Sequence, residues 1–351
     1  MYTLEEILRI AYGANASDIH ITVGIPPKMR VNGHLYAIDC PPLTAADTLE
    51  LCLSILNQAQ REKFEERGEY DLSVAFPEIG RYRVNVYKQR GAIGIALRTV
   101  GTQIPDPEVL GVPKSVVDLY QRKRGLILVT GPTGSGKSTT LAAIIDKINS
   151  NRDAHIITLE EPIEYSHRHK MSIVNQREIG QDTQSFANAL RGALRQDPDV
   201  ILVGEMRDYE TISTAISAAE TGHLVLSTLH TNNAAATIDR IIDVFPTHQQ
   251  GQIRVQLSTV IVSIIAQQLI PNVTEDGRVA SFEVMHANSA IRNLIREGKS
   301  HMIQSVIQTS KAEGMITADD ALVQLYMARK ISRENCIQYA QDPDRMREKI
   351  F

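Results

Sequence analysis

The stretch Gly125–Thr140, GLILVTGPTGSGKSTT, constrains this chain more than any other. A short apolar run enters a glycine-rich turn, and Leu141, Ile144, Ile145 and Ile148 then recur at helical spacing. Gly131, Gly136, Lys137 and Ser138 fit the phosphate-loop pattern G-x-x-x-x-G-K-[ST]. Glycines there allow a tight turn, with positive φ where needed, so that backbone N–H groups approach phosphate oxygens closely. Lys137 supplies a point charge for the β- and γ-phosphates, the Ser138 hydroxyl is a Mg²⁺ ligand, and the following helix points its positive dipole end at the same anion. The pattern predicts a strand–turn–helix unit binding a nucleoside triphosphate through Gly131, Pro132, Thr133, Gly134, Ser135, Gly136, Lys137, Ser138 and Thr139.

At 351 residues the chain has room for two domains with separate cores. A hydrophobic fraction of 43% and a charged fraction of 22% are those of a soluble globular protein, and a net charge of −4 supplies no global field for nucleic acid or an anionic membrane. The cysteines Cys40, Cys52 and Cys336 are dispersed, which argues against a disulfide framework and a four-cysteine zinc site. The start, MYTLEEILRIAYG, does not read as a signal peptide. The longest apolar stretch, Val255 to Ile270, is interrupted by Gln256, Ser258, Ser263, Gln267 and Gln268, and reads as a buried amphipathic helix rather than a membrane span. The expectation is a cytoplasmic protein with no direct membrane insertion, connected to any membrane through a partner.

Residues 1–100 read as an α+β unit. Leu4, Ile7, Leu8 and Ala11 have helical periodicity, and Ser17–Ile21 alternates as a strand. Asn32-Gly33 is a hairpin signal, and Thr44 is the expected cap of a helix running to Leu56. Tyr70–Phe76, Arg81–Lys88 and Ala92–Arg98 predict a three-strand meander. Residues 101–113, GTQIPDPEVLGVP, are the expected linker. From 114 to 351, strands at Leu126–Val129, His155–Leu159, Val200–Val203 and Leu224–Ser227 alternate with helices, the signature of a mostly parallel sheet. A helical region follows from about residue 290.

Phosphoryl transfer needs a metal clamp, a group acting on water, and cations for the developing charge. VILVGEMRD (Val200–Asp208) is an apolar strand ending in Gly204-Glu205, where Mg²⁺ would sit in such a sheet; Glu205 and Ser138 are the expected metal ligands. ITLEEPIEY (Ile157–Tyr165) gathers Glu160, Glu161 and Glu164, and Glu164 is the candidate general base. STLHTNN (Ser227–Asn233) offers His230 as a γ-phosphate sensor, with a hydrogen-bonded structural histidine as the alternative. Arg81, Arg83 and Arg98 fall on adjacent predicted strands; alternation could put Arg83 and Arg98 on one face, although solvated strand arginines are the ordinary case.

With these segments in line, the chain resembles the secretion and pilus motor ATPases over nearly its whole length. GPTGSGKST matches their Walker A, LEEPIEY their aspartate-rich box, LVGEMRD their Walker B and STLHTNN their histidine box. AIRNLIRE (Ala290–Glu297) is a signature associated with the pilus retraction branch. The resemblance implies an α/β chain with a smaller PAS-like α+β domain preceding a RecA-like ATPase domain, assembled as a homohexamer. It further implies ATP and Mg²⁺, catalytic Glu164 and Glu205, His230 at the nucleotide, and Arg83 and Arg98 as arginine fingers from the first domain. The implied partners are the inner-membrane pilus platform protein and a paralogous retraction ATPase. One departure is Glu161, where the family usually has Asp: charge is kept and reach grows by a methylene.

Locally, AIRNLIRE places Ile291, Leu294 and Ile295 on one face and Arg292 and Arg296 four apart, with Ser289 as the expected cap. The leading expectation is a motor driving pilus retraction and twitching motility. A nucleic-acid translocase would need a basic, aromatic-lined path, and Arg168-His169-Lys170 is the nearest basic run. A nucleotide-sensing protein without turnover fits less well beside both Glu164 and Glu205.

Overall fold

Alternating apolar residues in the first half become a mixed layer of helices on an antiparallel sheet. The computed structural model describes residues 2–101 and 103–350. Thr102, in the expected linker, and Met1 and Phe351, at the outer bounds of the expected domains, lie outside the described residues. The chain divides into two compact units, Met1–Thr102 with Glu164–Ser166, and Gln103–Ile163 with His167–Phe351.

In the first unit, β1 (Asp18–Ile21), β2 (Lys28–Val31), β3 (His34–Ala37), β4 (Glu69–Phe76), β5 (Gly80–Gln89) and β6 (Ala92–Thr99) form a sheet in the order β3-β2-β1-β6-β5-β4. Every neighbouring pair is antiparallel. Asn32 and Gly33 turn β2 into β3 with φ of 48° and 85°, the double positive φ of a tight hairpin turn. One face carries Ile19, Ile21, Val84, Val86, Ile95 and Leu97 into a core that also takes Leu4, Ile7, Leu8 and Ala11 of the helix Leu4–Gly13. Thr44 caps the helix Ala45–Ile55, accepting from Asp47 N while Asp47 accepts back, a reciprocal arrangement that satisfies two orphan donors.

In the second unit, β7 (Gly125–Thr130), β8 (His155–Glu160), β9 (Ile173–Glu178), β10 (Val200–Val203), β11 (Leu224–Leu229), β12 (Ile261–Pro271) and β13 (Arg278–His286) form a sheet in the order β13-β12-β7-β11-β10-β8-β9. All pairs are parallel except β12 with β13. Residues of β7, β10 and β11 are buried throughout, as continuous apolar runs covered on both faces must be. Helices Lys137–Asn151, Phe186–Ala193 and Tyr209–Glu220 intervene between strands, and the chain closes with the helices Ser289–Glu297, Ile303–Thr309, Ala318–Met327, Arg333–Gln338 and Pro343–Lys349. The helix Ala318–Met327 is tied to a further helix, Ala234–Asp243, by Glu283, 1% exposed on β13, which accepts from Ala234 N (2.8 Å) and from Ala318 N (3.4 Å). Burial pushes its carboxyl upward while the two amides favour its charge.

Two expectations are corrected. Val255–Ile270 is not one helix: the helix Gln250–Val260 ends and β12 begins at Ile261. The β-branched run Val260-Ile261-Val262 favours the extended backbone, and β12 is buried between β7 and β13. The cap of Ser289–Glu297 is Asn288, whose side chain accepts from Ile291 N at 3.0 Å, and Ser289 is the first helical residue. The strand β9 had no sequence signal, because Ile173–Glu178 (IVNQRE) carries polar residues over most of its length at the sheet edge.

Half-buried His167 sets an acid limit on stability. Burial pulls its imidazole down to about 4, and its Nδ1 has no hydrogen-bond partner. The folded chain therefore binds fewer protons than the unfolded one between pH 6.5 and 4, so this site's contribution is complete above the ordinary histidine range and lost as pH falls toward 4. The loss is expected to approach about 3 kcal/mol. Urea unfolding at pH 7 and pH 4.5 checks this: His167→Gln should lose less stability than the parent over that interval, and equal losses would refute the assignment.

Candidate functional site

The loop after β7 is shaped by glycines at three positive φ values: Gly131 (143°), Gly134 (78°) and Gly136 (87°). Close approach to backbone, as well as dihedral, demands glycine at Gly131, while at Gly136 the dihedral does and a side-chain end crowds the same space. A Cβ on Gly131 would stand 2.1 Å from the Gln267 carbonyl oxygen and 2.7 Å from Ser135 Oγ, and one on Gly136 would stand 2.9 Å from Gln267 Nε2. The helix Lys137–Asn151 starts at Gly136 without a side-chain cap, so its first N–H groups remain for an anion. Lys137, 8% exposed, donates its Nζ to the Gly131 and Pro132 carbonyls at 2.8 and 2.9 Å. Ser135 Oγ is buried without a partner. Pro132, Thr133, Gly134 and Ser138 are exposed and Thr139 is half-buried. A curled backbone, an orphaned hydroxyl, an uncapped helix and a lysine folded over the loop fit a nucleotide's phosphates.

Neighbouring strand ends bring an acid and a histidine to the same edge. Ser227 Oγ donates to Val203 O (2.7 Å), Thr228 Oγ1 to Gly204 O (2.6 Å), and Met206 N to Thr228 O (3.2 Å). These bonds hold the turn that presents half-buried Glu205. Glu205 Oε1 lies 3.5 Å from His230 Nε2 and accepts from Arg207 Nε. Burial, then the charges of Lys137 and Arg207, pull the His230 imidazole below its ordinary range, so it is neutral at neutral pH. Among the described residues no group of three His, Cys, Asp or Glu is placed to hold a metal. A Mg²⁺ at Ser138 and Glu205 would therefore complete its shell with phosphate oxygens and water.

The acid box separates by role. Glu160 Oε1 accepts from Thr158 Oγ1 (2.6 Å) and Gln176 Nε2 (3.1 Å). Glu161 and Glu164 are exposed. Glu164 groups with the first unit, where Gly101 N donates to its carbonyl (3.1 Å) and Ser166 N donates to Gly101 O (3.0 Å). In that unit Arg83 and Arg98 are direct cross-strand partners on β5 and β6, so both project from one face. Arg98 Nε donates to Asp18 Oδ1 at 2.8 Å. Burial opposes the Asp18 charge, yet bonds from Arg98 and Ser17 hold its carboxyl below the usual range. Thus the second unit gathers the loop, Lys137, Glu205 and His230, while Arg83, Arg98 and Glu164 are residues of the first.

The face of AIRNLIRE is as its spacing predicts: Ile291 and Ile295 are buried and Leu294 packs beside them. Arg292 is committed locally, donating to the Ser258 and Thr259 carbonyls (2.8 Å to the latter) at the end of the helix Gln250–Val260. That satisfies carbonyls a helix end leaves open.

Sequence reasoning missed Arg207, Asp18, Ser227, Thr228 and Gln267 as site neighbours. Arg207 lies inside LVGEMRD, and Ser227 and Thr228 lie inside STLHTNN, without a role their residue types announce. Asp18 and Gln267 lie in no motif and are brought in by strand register.

The family profile described as Type II/IV secretion system protein matches residues 2–343. The chain is 47% identical over 341 residues to the Type IV pilus retractation ATPase PilT of Pseudomonas aeruginosa, covering 97% of this chain and 99% of that protein. It is 43% identical to the Type IV pilus ATPase PilU of the same organism, covering 98% of this chain and 90% of that protein. A crystal structure of the pilus retraction motor PilT with bound ADP superposes with a TM-score of 0.90 at 49% identity, covering 99% of this chain and 100% of that one. The chain belongs to the Type II/IV secretion system protein family.

Proposed function

We propose that this chain is an Mg²⁺-dependent ATPase that works as a homohexameric motor for type IV pilus retraction and twitching motility. The observation that carries the ATPase reading is the meeting of the glycine-shaped loop, Lys137, Glu205 and neutral His230 at one strand edge. The pilus reading rests on full-length likeness to PilT and PilU. No helix among the described residues is long and apolar enough to cross a membrane, consistent with a cytoplasmic motor that reaches the inner membrane through a platform protein. A paralogous retraction ATPase is a second candidate partner.

In this reading, residues 131–139 bind the triphosphate, and Ser138 and Glu205 hold Mg²⁺. The metal would supply charge neutralisation on the phosphate oxygens. Glu164 takes the proton of the attacking water, His230 senses the γ-phosphate, and Arg83 and Arg98 act as arginine fingers. The proposed division is an N-terminal domain of residues 1–100, a linker at 101–113 and an ATPase domain from 114 to 351.

A Glu164→Gln chain is expected to lose about 10²–10⁴ in ATP turnover with nucleotide affinity kept, since proton transfer has that size. Arg83→Ala and Arg98→Ala should each lower turnover in the same phosphate-release assay. Unchanged turnover would remove the corresponding role. The nucleic-acid reading gains nothing from Arg168-His169-Lys170, because Lys170 is paired with Asp146 at 2.7 Å and His169 Nδ1 accepts from Val174 N.

A further inference from the structure

Gln267 lies 127 residues from Thr140 in sequence and directly beneath the phosphate loop in space. The parallel register pairs Ala266 of β12 with Thr130 of β7, so Gln267 is the next residue, level with Gly131. It touches the loop three ways. Its carbonyl occupies the space a side chain at Gly131 would need; its Nε2 occupies that space at Gly136; and its Oε1 accepts from Thr140 Oγ1 at 2.8 Å. Gln267 is 5% exposed and Thr140 1%, so a broken bond there would leave buried polar atoms unpaired.

We infer that Gln267 is a positioning residue for nucleotide binding. Its backbone carbonyl lies under Gly131 and its carboxamide under Gly136, and the carboxamide is held in place by Thr140 one turn into the helix. It touches no reacting atom; it sets the loop geometry that presents the N–H groups to phosphate. The chemistry requires a neutral side chain with one acceptor for Thr140 and a donor-bearing end under the anion. Glutamate has the same shape and keeps the acceptor, but it places a negative charge where phosphate binds. The inference rests on the nucleotide reading above.

The test is titration of full-length chain with a fluorescent ADP analogue and Mg²⁺, from pH 8 to pH 5.5. Gln267→Ala is expected to weaken binding about tenfold. Gln267→Glu should weaken it further at pH 8, and its deficit relative to the parent should shrink as pH falls and the new carboxylate takes a proton, a response that a simple packing defect would not give. Thr140→Val should also weaken binding, and Thr140→Val combined with Gln267→Ala should be no worse than Gln267→Ala alone, because both remove one contact. Unfolding midpoints measured without nucleotide separate loss of fold from loss of binding, with Thr140→Val standing in should Gln267→Ala not fold. A parent that binds while Gln267→Glu matches it at every pH would overturn the inference alone; a parent that does not bind would overturn the nucleotide reading with it.

Discussion

Replacing Glu205 by Ala is expected to slow ATP hydrolysis at least about a hundredfold while nucleotide still binds. Glu205 is the acid beside Arg207 and neutral His230, so its removal leaves the Arg207 guanidinium without that counter-charge. A triphosphate should therefore bind as well as before, while the proposed Mg²⁺ ligand is lost. Phosphate release and analogue binding, measured on one preparation, distinguish this from unfolding. Turnover within about twofold of the parent would end the assignment. In cells carrying the same substitution, more surface pili together with lost twitching would mean that retraction has stopped. Fewer pili would make the chain an assembly motor, and unchanged pili and motility would detach it from pili altogether.

Gly131→Ala is expected to have the second large effect. The new Cβ would meet the Gln267 carbonyl oxygen at 2.1 Å and the Gln267 carbonyl carbon at 3.2 Å, both backbone atoms of β12, which is held by ladders to β7 and β13. Neither side can yield without moving a strand, so about 3 kcal/mol or more of stability should be lost. Gly134→Ala is the internal comparison: its φ of 78° is also positive, but nothing lies within 4 Å of the added carbon. Only backbone strain of about 1–2 kcal/mol remains there. Unfolding of the nucleotide-free chains measures both, and equal losses would refute the claim that close approach to β12 decides the matter.

Much of the second unit was legible because its signals are local. Buried parallel strands read as uninterrupted apolar runs, and helices such as Tyr209–Glu220 read as periodic ones. The phosphate loop needs glycine and lysine at fixed offsets, which no packing can conceal. Legibility failed at Ile261, where a periodicity interrupted by polar residues was compatible with helix or strand and β12's neighbours settled it. It also failed at β9, a polar edge strand.

By itself the sequence determined the strand–loop–helix unit, the acid and histidine that follow the next strands, and the cap at Thr44, because each depends on residues within a few positions; the cap expected at Ser289 falls instead on Asn288. Tertiary structure alone decided which distant residues meet. Arg83 and Arg98 face the same way because of one antiparallel register, and Gln267 lies under the phosphate loop because of one parallel register. Glu164 joins the first unit through bonds to Gly101. Register is set by the burial of whole strand faces, a property summed over the sheet, and no short segment carries that sum.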